Sequence, residues 1–373
     1  MSKGPTLIIH YSVGLLVLSL GLSVVARAEL FQSPDALTAA ERREAIRRAS
    51  VWAPTDIAAV DFKTGPEATG AFAYNEWVTC TYSQKQLGGK SPKFACETSP
   101  GQEIKVKYGP RNAEVFGEVL ATRLFWALGF PVDRMYPVRV RCLGCPPDPQ
   151  KDAKPGPGVT EFDPAAIERK LPGRAMETSS DSGWDWAELE DIGPDAPPGA
   201  AAQRDALRLL AAFVQHTDSN AANQRLLCPT GEEIGSTGCR SPVLMVSDLG
   251  LTFGRSGFLI LDKNKNSVSL ADWIDKPVWK DEALCVAQLS QSFRGTLNNP
   301  TISEAGRKFL ADLLIQLSDT QLRDLFETAR VHLRSSDPSS KAGKDARPAS
   351  VDIWVEVFKL RRAQIVGRVC PIR

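Results

Sequence analysis

The chain has 373 residues, 43% of them hydrophobic, 24% charged and 8% aromatic, which is ample for a packed core and excludes a disordered chain. Lys+Arg number 45 against Asp+Glu 44, and no basic stripe runs along any segment, so nucleic acid is not an expected partner.

Residues 1–28 read as a signal peptide. Lys3 supplies the positive start, Val13–Val25 the apolar run, and Ala26-Arg27-Ala28 a small-x-small cleavage pattern. The apolar run is short for a membrane span, and no later segment is long and apolar enough for one, so the mature chain is expected outside the cytoplasm, periplasmic or secreted, with no transmembrane span. All eight cysteines follow Ala28, as an oxidising compartment favours. Spacing suggests the pairs Cys80–Cys96, Cys142–Cys145 and Cys228–Cys239, leaving Cys285 with Cys370. Cys142-Leu143-Gly144-Cys145 also has zinc-ligand spacing, but no second close Cys-x-x-Cys pair accompanies it.

Ser33–Val51 is expected to be a helix capped near Ser33. Ala71–Lys107 reads as short strands with turns at Gly88-Gly89 and Ser99-Pro100-Gly101. Val115, Val119, Leu120, Leu124 and Ala127 predict a helix over Asn112–Leu128, and Val132–Cys142 reads as a strand. Pro146-Pro147-Asp148-Pro149, Lys154–Gly158 and Pro194–Gly199 have linker chemistry. Helices are expected over Ala200–Phe213, Leu310–Val331 and Val351–Ile365, with a short strand at Leu244–Val246. The division that follows is a signal over 1–28, a strand-rich N-terminal lobe over 29–143, a Pro/Gly-rich linker or insertion over 144–200, and a helical C-terminal lobe over 201–373. The expected fold class is α+β.

Four segments carry candidate chemistry, and their order matters. The turn Gly88-Gly89, followed by Lys90, Ser91 and Lys93, allows close backbone approach to a phosphate with cations beside it. Lys105 and Lys107 alternate onto one face of a strand, and the next helix carries Glu114 and Glu118 one turn apart. A strand lysine set against a helix glutamate is a way of holding nucleotide phosphates. His216-Thr217-Asp218 is followed by Asn223, five residues after the Asp. Last, the strand Leu244-Met245-Val246 delivers Asp248, with Gly250 after it. Hard oxygen donors at Asn223 and Asp248 suit Mg²⁺.

This order resembles the kinase superfamily, in an atypical form. His216–Asn223 is similar to the catalytic loop of HipA-type serine/threonine kinases, and Gly88–Lys93 to their phosphate loop. Asp248-Leu249-Gly250 resembles the metal-binding turn of phosphoinositide lipid kinases and secretory-pathway kinases. The resemblance implies a two-lobed kinase-like fold and Mg²⁺-dependent transfer of the γ-phosphate of ATP, or another nucleotide, to a protein or envelope molecule. Asp218 would orient the acceptor, and Asn223 and Asp248 would hold Mg²⁺. Lys107, or else Lys105, would contact phosphates, and Glu118, or else Glu114, would position that lysine. Gly88, Gly89, Lys90, Ser91 and Lys93 would line the nucleotide. No Arg stands between His216 and Asp218, and Leu249 replaces the Phe usual after the metal Asp. The alternative is a non-catalytic envelope protein that keeps the fold for binding.

Overall fold

The computed structural model describes residues 36–68, 70–98, 102–180, 182–193, 196–254, 267–289, 295–334 and 349–371. The signal segment 1–28, Ser33 and the Ser99–Gly101 turn lie outside them. The described part of the first helix, α1 (Ala39–Arg48), starts at a Thr38 cap whose hydroxyl accepts from the Glu41 N–H, while the Glu41 carboxylate accepts from the Thr38 N–H. That reciprocal cap replaces the expected start near Ser33.

The strands that follow are β1 (Trp77–Ser83), β2 (Lys93–Thr98) and β3 (Gln102–Tyr108). Then come α2 (Glu114–Ala127), β4 (Arg134–Leu143) and β5 (Val159–Arg169). The five strands close into a barrel in the order β1-β2-β3-β5-β4, sealed by a parallel β1–β4 pair. Closure removes the exposed strand edges of an open sheet. Inside is an apolar core of its own, built around Phe94, Val106, Tyr136, Val140 and Phe162.

β5 lies inside the span read as linker or insertion and pairs with both β3 and β4. Asp163 and Pro164 hide it in the sequence. The β4–β5 register slips between Val138 and Val140, so Pro164 sits at an irregularity where its missing N–H costs no ladder bond. The Pro/Gly-rich stretch 146–158 is a loop, as read.

α2 is buried nearly all round, with Glu114 and Trp126 alone half-buried among its 14 residues. After β5 come β6 (Arg174–Ala175), α3 (Ala200–Phe213) and β7 (Gln224–Cys228). A small hairpin, β8 (Glu233–Ile234) and β9 (Gly238–Cys239), leads to β10 (Val243–Val246). β10, β7 and β6 form a three-stranded antiparallel sheet.

The rest is mainly helical: α4 (Leu270–Ile274), the pair β11 (Trp279–Asp281) and β12 (Val286–Ala287), α5 (Glu304–Leu314), α6 (Asp319–Thr328) and α7 (Val351–Val366). The single helix expected over Leu310–Val331 is therefore two. Ser318 caps the second, with its hydroxyl accepting from the Gln321 N–H. A continuous apolar core joins α1, α2, α3 and α5–α7, with Trp273 stacked on Trp354 at its centre and Phe213, Phe326 and Phe358 set against them edge-on or tilted.

All four disulfides pair as spacing suggests: Cys80–Cys96, Cys142–Cys145, Cys228–Cys239 and Cys285–Cys370. Among the described residues no helix is long and apolar enough to cross a membrane.

Candidate active site

Lys107 lies one residue from the end of β3, opposite Lys93 of β2 and Ala166 of β5. Its side chain is 2% exposed, so a partner is required. The turn after β3 provides one by starting α2 close by. Gly109 adopts φ +98°, and the Asn112 amide donates to the carbonyls of Pro92 and Tyr108 at 2.9 and 3.2 Å. One helical turn apart, Glu114 and Glu118 then both face Lys107. Its ammonium is 2.8 Å from Glu114 and also pairs with Glu118.

Burial works against the charge on Lys107, but Glu114, Glu118, Asp248 and Glu168 outweigh it and hold its pKa well above the ordinary lysine value. Burial pushes Glu118 up to about 8. Lys107 opposes that rise, and the charges of Asp248 and Glu168 add to it. Lys105, the alternative phosphate lysine, is engaged elsewhere, paired with Glu168 directly across the β3–β5 ladder.

The β1–β2 connection runs beside Lys107. Gly89 at its tip has φ +89°, the left-handed region that glycine enters freely. Ser91 donates to Glu114 at 2.7 Å, and Lys93 donates to Ser91 at 3.4 Å. Burial lowers the Lys93 pKa; Glu114 resists this, and the charges of Lys107 and Lys105 add to it. Gly88 and Lys90 are exposed, with open space around Gly88.

The second half of the site hangs on β7 and β10. Their register sets Val246 opposite Gln224, so Asn223 and Ser247–Asp248 leave the sheet side by side. The N–H groups of Ser247 and Asp248 donate to the Asn223 carbonyl at 2.8 and 3.2 Å. The Asn223 amide donates to the Asp218 carbonyl at 2.6 Å, and Asn220 donates to the Asp218 carboxylate at 3.3 Å. The Asp248 carboxylate accepts from the Gly250 N–H at 3.1 Å. Burial works to raise the Asp248 pKa, but Lys107, that N–H, Lys105 and His216 bring it down to about 2. His216 is fully buried, and burial drives its pKa to about 4 against the opposing charges of Asp218 and Asp248.

Glycines let the two halves meet. A Cβ on Gly117 would sit 2.8 Å from the Gly250 carbonyl, and one on Gly250 would sit 2.6 Å from Glu114 Cγ. The turn after Asp248 therefore packs directly on the first turns of α2. A second junction was not foreseen from the sequence. The buried Asp133 accepts from the Leu171 N–H at 2.7 Å, from Lys170 at 3.0 Å and from Ser247 at 2.8 Å, with Arg225 3.8 Å away. Lys170 is also 2.5 Å from Glu168. This network ties the end of β5 to the end of β10. The only sequence signals were Glu168 directly after the apolar run Ala165–Ile167 and a lone Asp before β4.

Eight of the candidate residues gather around two linked points, while Lys105 pairs with Glu168 and Gly88 and Lys90 are exposed. Lys107, Glu114, Glu118, Ser91 and Lys93 form one, and Asp218, Asn223 and Asp248 form the other, with Lys107 and Asp248 in electrostatic reach. Asp248 and Asn223 carry hard oxygens of the kind that hold Mg²⁺. Lys107 and Lys93 carry cations of the kind that hold phosphates.

No family model and no curated protein sequence matches the chain. A solved structure of the proinflammatory kinase CtkA of Helicobacter pylori aligns over 78% of this chain and 93% of that one, with 10% identity and a TM-score of 0.40. The geometry stands apart from that likeness.

Proposed function

We propose that the chain is an exported, Mg²⁺-dependent phosphotransferase of two-lobed, kinase-like architecture, moving the γ-phosphate of ATP or another nucleotide to a hydroxyl of a protein or envelope molecule. The observation that carries this reading is a lysine with 2% of its side chain exposed, locked between two helix glutamates and set in the field of the turn bearing Asp248. A structural salt bridge needs one partner. Here a cluster of carboxylates surrounds a cation, and such a cluster becomes balanced when a metal ion and phosphates join it.

In this reading the barrel with α2 is the smaller lobe, the helical part from residue 201 is the larger, and the nucleotide lies between them. Lys107 anchors phosphate oxygens, and Glu118 keeps its ammonium aimed. Gly88, Gly89, Lys90, Ser91 and Lys93 cover the phosphates, with Lys105 flanking. Asp248 and Asn223 would hold Mg²⁺, which supplies charge neutralisation at the transferring group. Asp218 accepts the hydrogen bond of the acceptor hydroxyl and orients it. Positioning and charge are enough for this chemistry.

The test uses the purified full chain. Mg²⁺ with nucleotide should raise Tm, and labelled γ-phosphate should pass to the chain itself or to envelope extract. Asp248→Ala should abolish both. Absence of stabilisation by every nucleoside triphosphate would overturn the reading. Stabilisation without transfer to any acceptor would favour the non-catalytic binding alternative.

A further inference from the structure

The barrel interior holds a second concentration of reactive side chains. Cys80 of β1, Cys96 of β2, Cys142 of β4 and Cys145 just beyond it are all buried in the barrel core. Cys80 and Cys142 face each other across the parallel β1–β4 pair. The sulfurs of Cys96 and Cys142, which belong to different bridges, are 3.7 Å apart. Those of Cys80, Cys96 and Cys142 all lie within 4.8 Å of one another. Cys145 joins the group through its bridge to Cys142.

Two independent staples do not need to touch. A metal site does. In a tetrahedral zinc thiolate the metal–sulfur distance is about 2.3 Å, which sets neighbouring sulfurs about 3.8 Å apart. The Cys96–Cys142 contact already has that length. The Cα atoms of the two bridges are 5.7 and 5.5 Å apart, so each opened pair can reach the same spacing by side-chain rotation. Cys142-Leu143-Gly144-Cys145 is a short chelating turn, with Gly144 at φ +79° and the Cys145 carbonyl fixed by the Thr160 hydroxyl at 2.8 Å. The sequence alone shows one Cys-x-x-Cys. The second pair of ligands, Cys80 and Cys96, is assembled by strand pairing.

We propose that the reduced chain binds one Zn²⁺ as a tetrathiolate through Cys80, Cys96, Cys142 and Cys145, and that the same sulfurs become the two barrel bridges on oxidation. Starting from the bridged state, two equivalents of a dithiol reductant deliver four electrons and four protons, open both bridges and leave as disulfides. The four thiols then lose their protons to solvent as they take up Zn²⁺. In reverse, two equivalents of a disulfide oxidant remove four electrons and free the ion. The metal would hold β1, β2 and β4 together before the covalent links exist. This inference does not depend on the proposed phosphotransfer.

The full chain, reduced without denaturant and given Zn²⁺, should keep one zinc per chain through desalting. Alkylation and peptide mapping with and without zinc should find the metal slowing the reaction of Cys80, Cys96, Cys142 and Cys145 and leaving the rates of the other four thiols unchanged. Co²⁺ in place of zinc should give a thiolate charge-transfer band that Cys80→Ser/Cys142→Ser abolishes and Cys228→Ser/Cys239→Ser leaves intact. Where reduction alone opens the fold, zinc should restore the far-ultraviolet dichroism. No retained metal, no recovery on adding zinc, or zinc-dependent protection at Cys228, Cys239, Cys285 or Cys370 instead would each overturn the proposal.

Discussion

Lys107→Met tests the centre of the site. The substitution keeps the length of the side chain and deletes its charge. Lys107 and Glu118 have side chains 2% and 1% exposed, so solvent cannot take over the lost partner. Removing one member of such a buried pair costs about 3–5 kcal/mol. In a protein of this size that is a fall in Tm on the order of 10 °C. Glu118→Gln should cost less, because Lys107 keeps Glu114 at 2.8 Å. The double variant should then cost less than the sum of the singles by about 1–3 kcal/mol, as expected for groups in direct contact. A pH dependence follows as well. The folded pKa of Glu118, about 8, lies above its ordinary 4.5, so the folded state holds a proton that the unfolded chain has released. That contribution favours the folded state below 4.5 and is lost as pH rises to 8. Without Lys107 the carboxylate has less to stabilise it, and the destabilisation should be larger at pH 8 than at pH 5. Urea unfolding of the four proteins at both pH values reads all of this. Single-variant costs that add within about 0.5 kcal/mol, or a Lys107→Met cost below about 1 kcal/mol, would refute the reasoning.

Burial drives His216 to about 4, against an ordinary 6.5. The unfolded chain therefore takes up a proton that the folded state refuses, and stability should fall by roughly 3 kcal/mol between pH 6.5 and 4, a slope that His216→Phe should flatten in acid-titrated unfolding. Gly117→Ala places a methyl 2.8 Å from the Gly250 carbonyl and should cost about 1–3 kcal/mol while weakening any Mg²⁺–nucleotide stabilisation; Gly88→Ala, in open space, should leave denaturant stability within about 0.5 kcal/mol. The bridges Cys228–Cys239 and Cys285–Cys370 close loops with separations of 11 and 85 residues, so chain entropy predicts that losing the second costs about 2 kcal/mol more than losing the first. Chemical denaturation of the two double-serine variants measures the difference, and an equal cost would count against the entropic account.

The elements that the sequence reveals are those whose signals are local. α2 announces itself by apolar spacing, and the strand ending at Val246 by a short apolar run before Ser247-Asp248. The disulfides are legible because three pairs are close in sequence and leave one long pair over. The choice between Lys105 and Lys107 was not legible. Alternation places both on one face, and only the partners decide: Glu168 on β5 takes Lys105, and α2 takes Lys107. β5 escaped because Asp163 and Pro164 interrupt its pattern at the irregular register. Asp133 escaped for a different reason. Its donors, Leu171, Lys170 and Ser247, come from separate segments, and no spacing in one stretch of chain announces such a meeting.

The Cys285–Cys370 bridge also has a mechanical meaning. A pull on the two ends of the chain reaches Cys370 and passes through the covalent link to Cys285, bypassing α5, α6 and α7. The span from Cys285 to Cys370, a sequence separation of 85 and about 290 Å of extended contour at roughly 3.4 Å per residue, stays off the load path until the sulfurs part. Stretched one molecule at a time, the oxidised protein should yield a short ruler and the reduced protein a long one. The missing length would count the residues that the last disulfide shields from tension.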